Sequence, residues 1–165
     1  MHAVASINTD DYQQLADLTD APKREFCDRY GYEFFVLKDT SYSPIMGFNK
    51  IHYVLDLFKQ RPDIEWLLFS ECDATVTNLT VRIEDRIDND YHFIIAPDCD
   101  GINADSFFVR NSPEGKKFVD VINSKIDTYK THGWVEQQAI IEHMKMDEFK
   151  DMVKVVPQRQ LNAYD

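Results

Sequence analysis

The sequence predicts a three-layer α/β fold, a mixed and mainly parallel sheet with helices on both faces. Three observations lead there. Short apolar runs of strand length alternate with longer stretches of helical periodicity. The first three runs, Ala3 to Ile7, Tyr32 to Leu37 and Glu65 to Ser70, are separated by one helical stretch each, the rhythm of parallel strands joined by crossovers. The later runs break that rhythm, which makes the sheet mixed.

Each element has its own signal. Ala3 to Ile7 is a continuous apolar run, as expected of a strand buried on both faces. Asp10 and Asp11 offer an N-cap for a helix from about Tyr12 to Tyr30, and Gly31 supplies its C-cap. A second strand, Tyr32 to Leu37, leads into a polar loop with Ser41, Ser43 and Pro44. Ile51, Val54, Leu55 and Phe58 then recur at helical spacing, predicting a helix over Met46 to Gln60 that Pro62 stops. Glu65 to Ser70, with Trp66-Leu67-Leu68-Phe69 inside it, reads as a deeply buried strand. His92 to Ala96 and Ser106 to Arg110 are further strands. Ser112 as N-cap and Pro113 at the first helical position open a helix that reaches about Tyr129. A last helix runs from Trp134 to His143, and Val153 to Val156 forms a final strand. There is no repeat, low-complexity tract or linker, so residues 1–165 read as one domain.

Composition narrows the function classes. The 165 residues are 44% hydrophobic and 28% charged, within the range of folded globular domains. Twenty-nine acids against 18 bases give a net charge of −11, which repels phosphate backbones and anionic lipid and argues against nucleic-acid or membrane partners. The start, Met-His-Ala-Val-Ala-Ser-Ile-Asn, lacks the pattern of a secretory signal, and no run approaches membrane-spanning length; the expected location is the cytoplasm. Cys27, Cys72 and Cys99 are sparse and show no zinc spacing, so reduced packing thiols are expected. The Asn78-Leu79-Thr80 sequon is then a chance match.

In open α/β sheets ligands bind beyond the carboxyl ends of strands, where strand order reverses. Two such ends are acidic: Ser70-Glu71-Cys72-Asp73-Ala74 and Pro97-Asp98-Cys99-Asp100-Gly101-Ile102-Asn103. In extended backbone, residues two apart project to one side, so each acid pair can face a hard cation such as Mg²⁺ or Mn²⁺, which in turn can bridge the oxygens of a diphosphate. The same acids also suit turns and helix caps, and spacing does not separate the two readings. No glycine-rich phosphate loop is present, which argues against Rossmann and P-loop sites. The five histidines show no metal-binding spacing; His132 is the one that could approach a site beside Trp134. Trp134 suits either stacking on a sugar or packing at a helix start. Phe34, Phe35, Trp66, Phe69, Phe107 and Phe108 lie in strands and read as core.

Four segments resemble a known family. Glu65-Trp66-Leu67-Leu68-Phe69-Ser70-Glu71-Cys72-Asp73-Ala74 resembles the strand and D-x-D-A motif of metal-dependent glycosyltransferases of the GT-A fold. Gly101-Ile102-Asn103-Ala104-Asp105-Ser106-Phe107-Phe108-Val109-Arg110-Asn111 is similar to the G-I-N-A-G-S-F-L-I-R-N segment of glycosyltransferase family 34, the galactosyl-, mannosyl- and xylosyltransferases. Trp134 to Ile140 resembles that family's D-Q-x-A-L helix start, and Val156 to Tyr164 its V-P-Q-R-x-x-N-x-Y segment. The four come in family order.

The resemblance implies a GT-A-like domain that transfers a sugar from a nucleoside diphosphate sugar to a glycan or small acceptor, with retention of configuration and a divalent cation, Mn²⁺ or Mg²⁺. Carried over by position, Asp73 ligates the metal, and Glu71 contacts ribose or the metal's water shell. Ala5 and Ser6 pass beside base and ribose, and Lys50 contacts the diphosphate. Asp98 and Asn103 line the donor sugar and acceptor side, and Glu136 and Gln137 lie beneath the anomeric carbon. Three positions depart from the family pattern: Glu71 and Glu136 stand for aspartates, and Asp105 for a glycine. The family's third metal ligand, a histidine, belongs downstream of the Val156 to Tyr164 segment, beyond Asp165. Three other readings compete: a weakened nucleotide-sugar-binding module, a metal-dependent phosphohydrolase using Asp73, Asp98 and Asp100, and a subunit that an oligomeric partner completes.

Overall fold

The structure, a computed structural model, describes residues 1–162. The strands are β1 (His2–Ile7), β2 (Glu33–Leu37), β3 (Trp66–Ser70), β4 (Phe93–Pro97), β5 (Ile102–Arg110) and β6 (Val153–Val155). The helices are α1 (Gln13–Tyr30), α2 (Met46–Gln60), α3 (Pro113–Asn123), α4 (Ile126–Tyr129) and α5 (Val135–His143). The strands form one sheet in the order β2-β1-β3-β5-β4-β6. β1 runs parallel to β2 and β3, and β4 parallel to β6; β5 is antiparallel to both its neighbours. The sheet is therefore mixed and mainly parallel.

Side-chain alternation splits the interior between the two faces. Ala3, Ala5, Leu67, Phe69, Phe93, Ile95, Phe107 and Val109 pack under α2, α3 and α5, while Val4, Trp66, Ile94 and Phe108 face Phe26 and Cys27 of α1 and Ile83. Each strand therefore reads as an unbroken apolar run because both its faces are covered. Phe34 and Phe35 are only half-buried, since β2 is the sheet's edge.

Several expected boundaries move. Gly31 is the left-handed C-cap of α1 at φ 71°, as its position suggests. Asp10 and Asp11 instead begin a short 3-10 turn behind Thr9, and no side chain caps it. The helix expected to reach Tyr129 ends at Asn123, where Ser124 and Lys125 interrupt it before the single turn of α4. β5 starts at Ile102 rather than Ser106, so the segment around Asn103 is strand and not loop. Among the described residues no helix is long and apolar enough to cross a membrane.

Two features of this topology place a site. The chain leaves β1 for β2 on one side and returns to β3 on the other, so strand order reverses between the carboxyl ends of β1 and β3. Beside that point β5 bulges: one step on β4, from Ile95 to Ala96, spans the stretch from Phe107 back to Asn103 on β5. Ala104, Asp105 and Ser106 are thereby released from β4; the Ala104 backbone turns toward α2 and α5 and the Asp105 carbonyl toward Glu71.

Candidate active site

Lys50 lies at the centre. It sits in the first turns of α2 and is 2% exposed. Its Nζ donates to Glu71 Oε1 at 2.9 Å, to Glu136 Oε1 at 2.8 Å and to the carbonyl of Ala104 at 2.9 Å. Burial pulls its pKa down, but the two carboxylates outweigh that and hold the ammonium well above its ordinary range. Burial pushes Glu71 above the usual carboxylate range, reinforced by Asp105 and Glu136 and opposed by Lys50. One cation thus serves a half-buried acid after β3 and a buried one on α5.

Around this triad the remaining groups are tied in through backbone. Gln137, next to Glu136, accepts from the Ala104 amide at 2.9 Å, so α5 and α2 both grip the bulged stretch of β5. The Asp105 carbonyl accepts from the Glu71 amide at 2.9 Å. Asn103 donates to Asp98 at 2.9 Å and to Asp105 at 3.0 Å, while its own carbonyl oxygen accepts from the Asp105 amide at 2.8 Å. Burial favours the proton on Asp98, yet the bonds from Asn103 and from the Asp100 amide outweigh it and hold the carboxyl below its usual range. Val135, immediately before Glu136, has φ 39°, a strained value for a β-branched residue at the start of a helix that presents two site side chains.

Two contributors escape a reading of motifs. Lys23 of α1 is fully buried; its Nζ donates to the Glu71 carbonyl at 2.7 Å and lies 3.4 Å from Ser6 Oγ, pinning the ends of β1 and β3 together. The signal for it was present: Ala16, Thr19, Asp20, Lys23, Phe26 and Cys27 recur at helical spacing, so Lys23 falls on the buried face of α1. Gly47 is the second. A Cβ there would stand 1.6 Å from Glu136 Oε2, so only glycine lets that carboxylate reach Lys50 past the start of α2.

The structure therefore brings Lys50, Glu71 and Glu136 into direct contact and joins Gln137, Asn103, Asp98 and Ser6 to them through neighbouring groups. Ala5 is fully buried against the α2 side of the core, so only its backbone borders the strand end. Lys50 points inward at carboxylates rather than outward. Asp73 is exposed and lines a cavity of about 390 Å³ with Ser70, Asp105 and Ser106, and Arg82, Arg86 and Arg159 edge the same cavity. Trp134 is half-exposed and His132 exposed; the Trp134 amide meets His132 Nδ1 at 3.2 Å. Cys27 is buried, but Cys99 is exposed at the tip of the β4–β5 hairpin, so it is not a packing thiol. Ala163 and Tyr164 of the Val156 to Tyr164 segment lie outside the described residues.

Among the described residues no three His, Cys, Asp or Glu side chains converge to hold a metal unaided, and Asp73, Asp98 and Asp100 do not gather as a phosphohydrolase trio would need. The donor set still fits a hard cation of the kind held by one or two carboxylates plus substrate phosphates. Asp73 faces the cavity with no lysine or arginine of the described residues at ion-pairing distance, and Glu71 stands two residues away.

Comparison with known proteins bears on this geometry. The α-1,2-galactosyltransferase of Schizosaccharomyces pombe is 29% identical over 184 aligned positions, covering 87% of this chain and 49% of that protein. A second, uncharacterized α-1,2-galactosyltransferase of the same yeast is 30% identical over 186 positions, with the same coverage. The chain thus spans about half the length of these relatives. Among solved structures, a glycosyltransferase involved in glycosylation of the major capsid of PBCV-1 superposes with a TM-score of 0.79 at 16% identity, over 94% of this chain and 82% of that one. The galactosyltransferase LgtC, solved with donor and acceptor sugar analogs, gives 0.65 at 13% identity, over 95% and 74%. These two establish the fold. The model of the galactosyl transferase GMA12/MNN10 family matches residues 4–90 and 88–165, and the chain belongs to that family, glycosyltransferase family 34.

Proposed function

We propose that this domain transfers a sugar, galactose in the first instance, from a nucleoside diphosphate donor to a glycan or small acceptor. The observation that carries the reading is the Glu71–Lys50–Glu136 triad at the point where strand order reverses, beside the cavity that Asp73 lines. The relatives' names give an α-1,2 linkage. Formed from an α-linked donor, that linkage retains configuration.

Asp73, with Glu71 behind it, would hold Mn²⁺ or Mg²⁺. A cation bound there would offset the negative charge that develops on the departing diphosphate. The chain's own residues do the rest. Ser6 and the end of β1 border the ribose. Lys50 bridges Glu71 and Glu136 and offsets one of their two negative charges, so that both carboxylates share one small space, and fixes their orientation toward the donor sugar. Glu136 and Gln137 lie under the anomeric carbon, where a negative or dipolar group stabilises developing oxocarbenium charge. Asp98, kept ionised by its hydrogen bonds, accepts hydroxyl protons of sugar on the acceptor side together with Asn103.

The test is transfer itself. The purified chain is incubated with UDP-galactose, Mn²⁺ and an α-mannoside, and the products are identified by mass and by NMR. The reading predicts an α-galactosylated product and its loss in Asp73→Asn with the fold unchanged. Phosphate release without any glycoside, or full transfer by Asp73→Asn, would overturn it.

A further inference from the structure

A second cavity, of about 300 Å³, opens beyond the carboxyl end of the edge strand β2, over the first turns of α2. Its distinguishing feature is a presented aromatic face. The Tyr42 ring stacks on His52 with centroids 3.4 Å apart and planes 4° off parallel, and Asn123 Nδ2 donates to the Tyr42 hydroxyl at 3.0 Å. Though its ring is clamped on one face and at its tip, Tyr42 is 46% exposed. The loop that carries it is equally fixed: buried Asn49 accepts from the Ser43 amide at 3.0 Å and donates to the Ser43 carbonyl at 2.8 Å.

The polar lining selects for a ligand class. Asp39, Ser41, Asn49, His52 and Asp56 border the cavity, and no lysine or arginine does. Asp39 Oδ1 accepts from the Ser41 amide at 2.8 Å and the Ser41 side chain bonds the same carboxylate, which as a carboxylate can still accept further bonds. Asp56 is engaged by His52 at 3.1 Å and by Lys59 at 3.0 Å. A wall that carries two carboxylates and no bordering lysine or arginine disfavours phosphates and carboxylates and suits a neutral molecule with hydroxyl donors. A fixed aromatic face beside it suits a molecule with one apolar side. A pyranose has both properties. Asn49, His52 and Asp56 of the cavity share α2 with Lys50 of the triad, which places a sugar here on the same helix as the site and suits an acceptor whose reacting end is at Glu136.

We infer that the cavity at Tyr42, His52 and Asp39 is a saccharide subsite that holds the acceptor glycan by stacking on Tyr42. The acceptor role rests on the transferase reading; saccharide binding does not. Calorimetry and ligand-observed NMR with α-1,2-mannobiose, methyl α-D-galactopyranoside and cellotetraose as probes, on wild type, Tyr42→Ala and Tyr42→Phe, test it. Mn²⁺-dependent UDP binding is measured on the same preparations. The expected result is binding of at least one saccharide, weakened roughly threefold to tenfold in Tyr42→Ala and kept in Tyr42→Phe, with UDP binding unchanged. No saccharide binding to wild type, equal binding by Tyr42→Ala, or loss of both ligands in that variant would overturn the subsite. Saccharide binding that depends on Tyr42 without any UDP binding would support the subsite and overturn the donor reading instead.

Discussion

Replacing Lys50 by methionine removes the one charge that makes the site's centre tolerable. Methionine fills similar volume, so the loss is electrostatic rather than a cavity. It leaves Glu71 and Glu136 facing each other in the interior and takes the hydrogen bond from the Ala104 carbonyl. Breaking a buried pair from one side costs about 3–5 kcal/mol. For a domain of this size that is a fall of roughly 6–20 °C in melting temperature. The cost depends on pH in a definite direction. Glu71, which burial already pushes above its ordinary range, loses the lysine that opposes that push, so the variant is most stable below the unfolded carboxyl value of about 4.3 and weakens as pH rises through the raised folded value. Thermal denaturation of wild type and Lys50→Met from pH 4 to 8 measures this. Adding Glu71→Gln and Glu136→Gln should recover much of the loss at pH 8. A Lys50→Met protein within 2 °C (about 1 kcal/mol at most) of wild type across that range would refute the triad.

Three further outcomes follow from the same geometry. Gly47→Ala should displace the Glu136 carboxylate. The lost charged hydrogen bond of about 1.5–3 kcal/mol outweighs the gain of about 1 kcal/mol in helix propensity; a variant more stable than wild type with transfer intact would contradict this. Asp98, whose carboxyl is held below its usual range, contributes stability that is present above about pH 3.9 and is lost as pH falls through its depressed folded value. Asp98→Asn should therefore flatten the acid limb of the stability profile, read by circular dichroism between pH 2 and 5. Exposed Cys99 should alkylate with iodoacetamide in the native state, whereas Cys27, buried and with its thiol pushed up to about 12, should resist until the protein unfolds; mass mapping of the labelled sites decides it.

Much of this was legible in the sequence because the strands are buried on both faces and so appear as unbroken apolar runs such as Trp66 to Phe69. The acidic ends of β3 and β4 were legible for the same reason, as abrupt polar stops. What local pattern could not supply was pairing across the chain. That Lys50 would turn inward depends on acids 21 and 86 positions away, and helical spacing alone is silent on that. The early start of β5 was hidden because the bulge at Ala104 to Ser106 interrupts the alternation that marks a strand. Lys23 was legible by its place on the buried stripe of α1, but a lysine there reads as an exception until its partners, Ser6 and the Glu71 carbonyl, are seen.

The central claim is a donor site whose diphosphate is held through a cation at Asp73. Calorimetric titration of UDP and of GDP into the chain, with Mn²⁺ and again with EDTA, addresses it most directly. The account predicts binding of one nucleotide, UDP if the donor is UDP-galactose, that appears with Mn²⁺ and disappears with EDTA and in Asp73→Asn. Binding of neither nucleotide by the folded protein, or binding indifferent to EDTA and to that substitution, would contradict it.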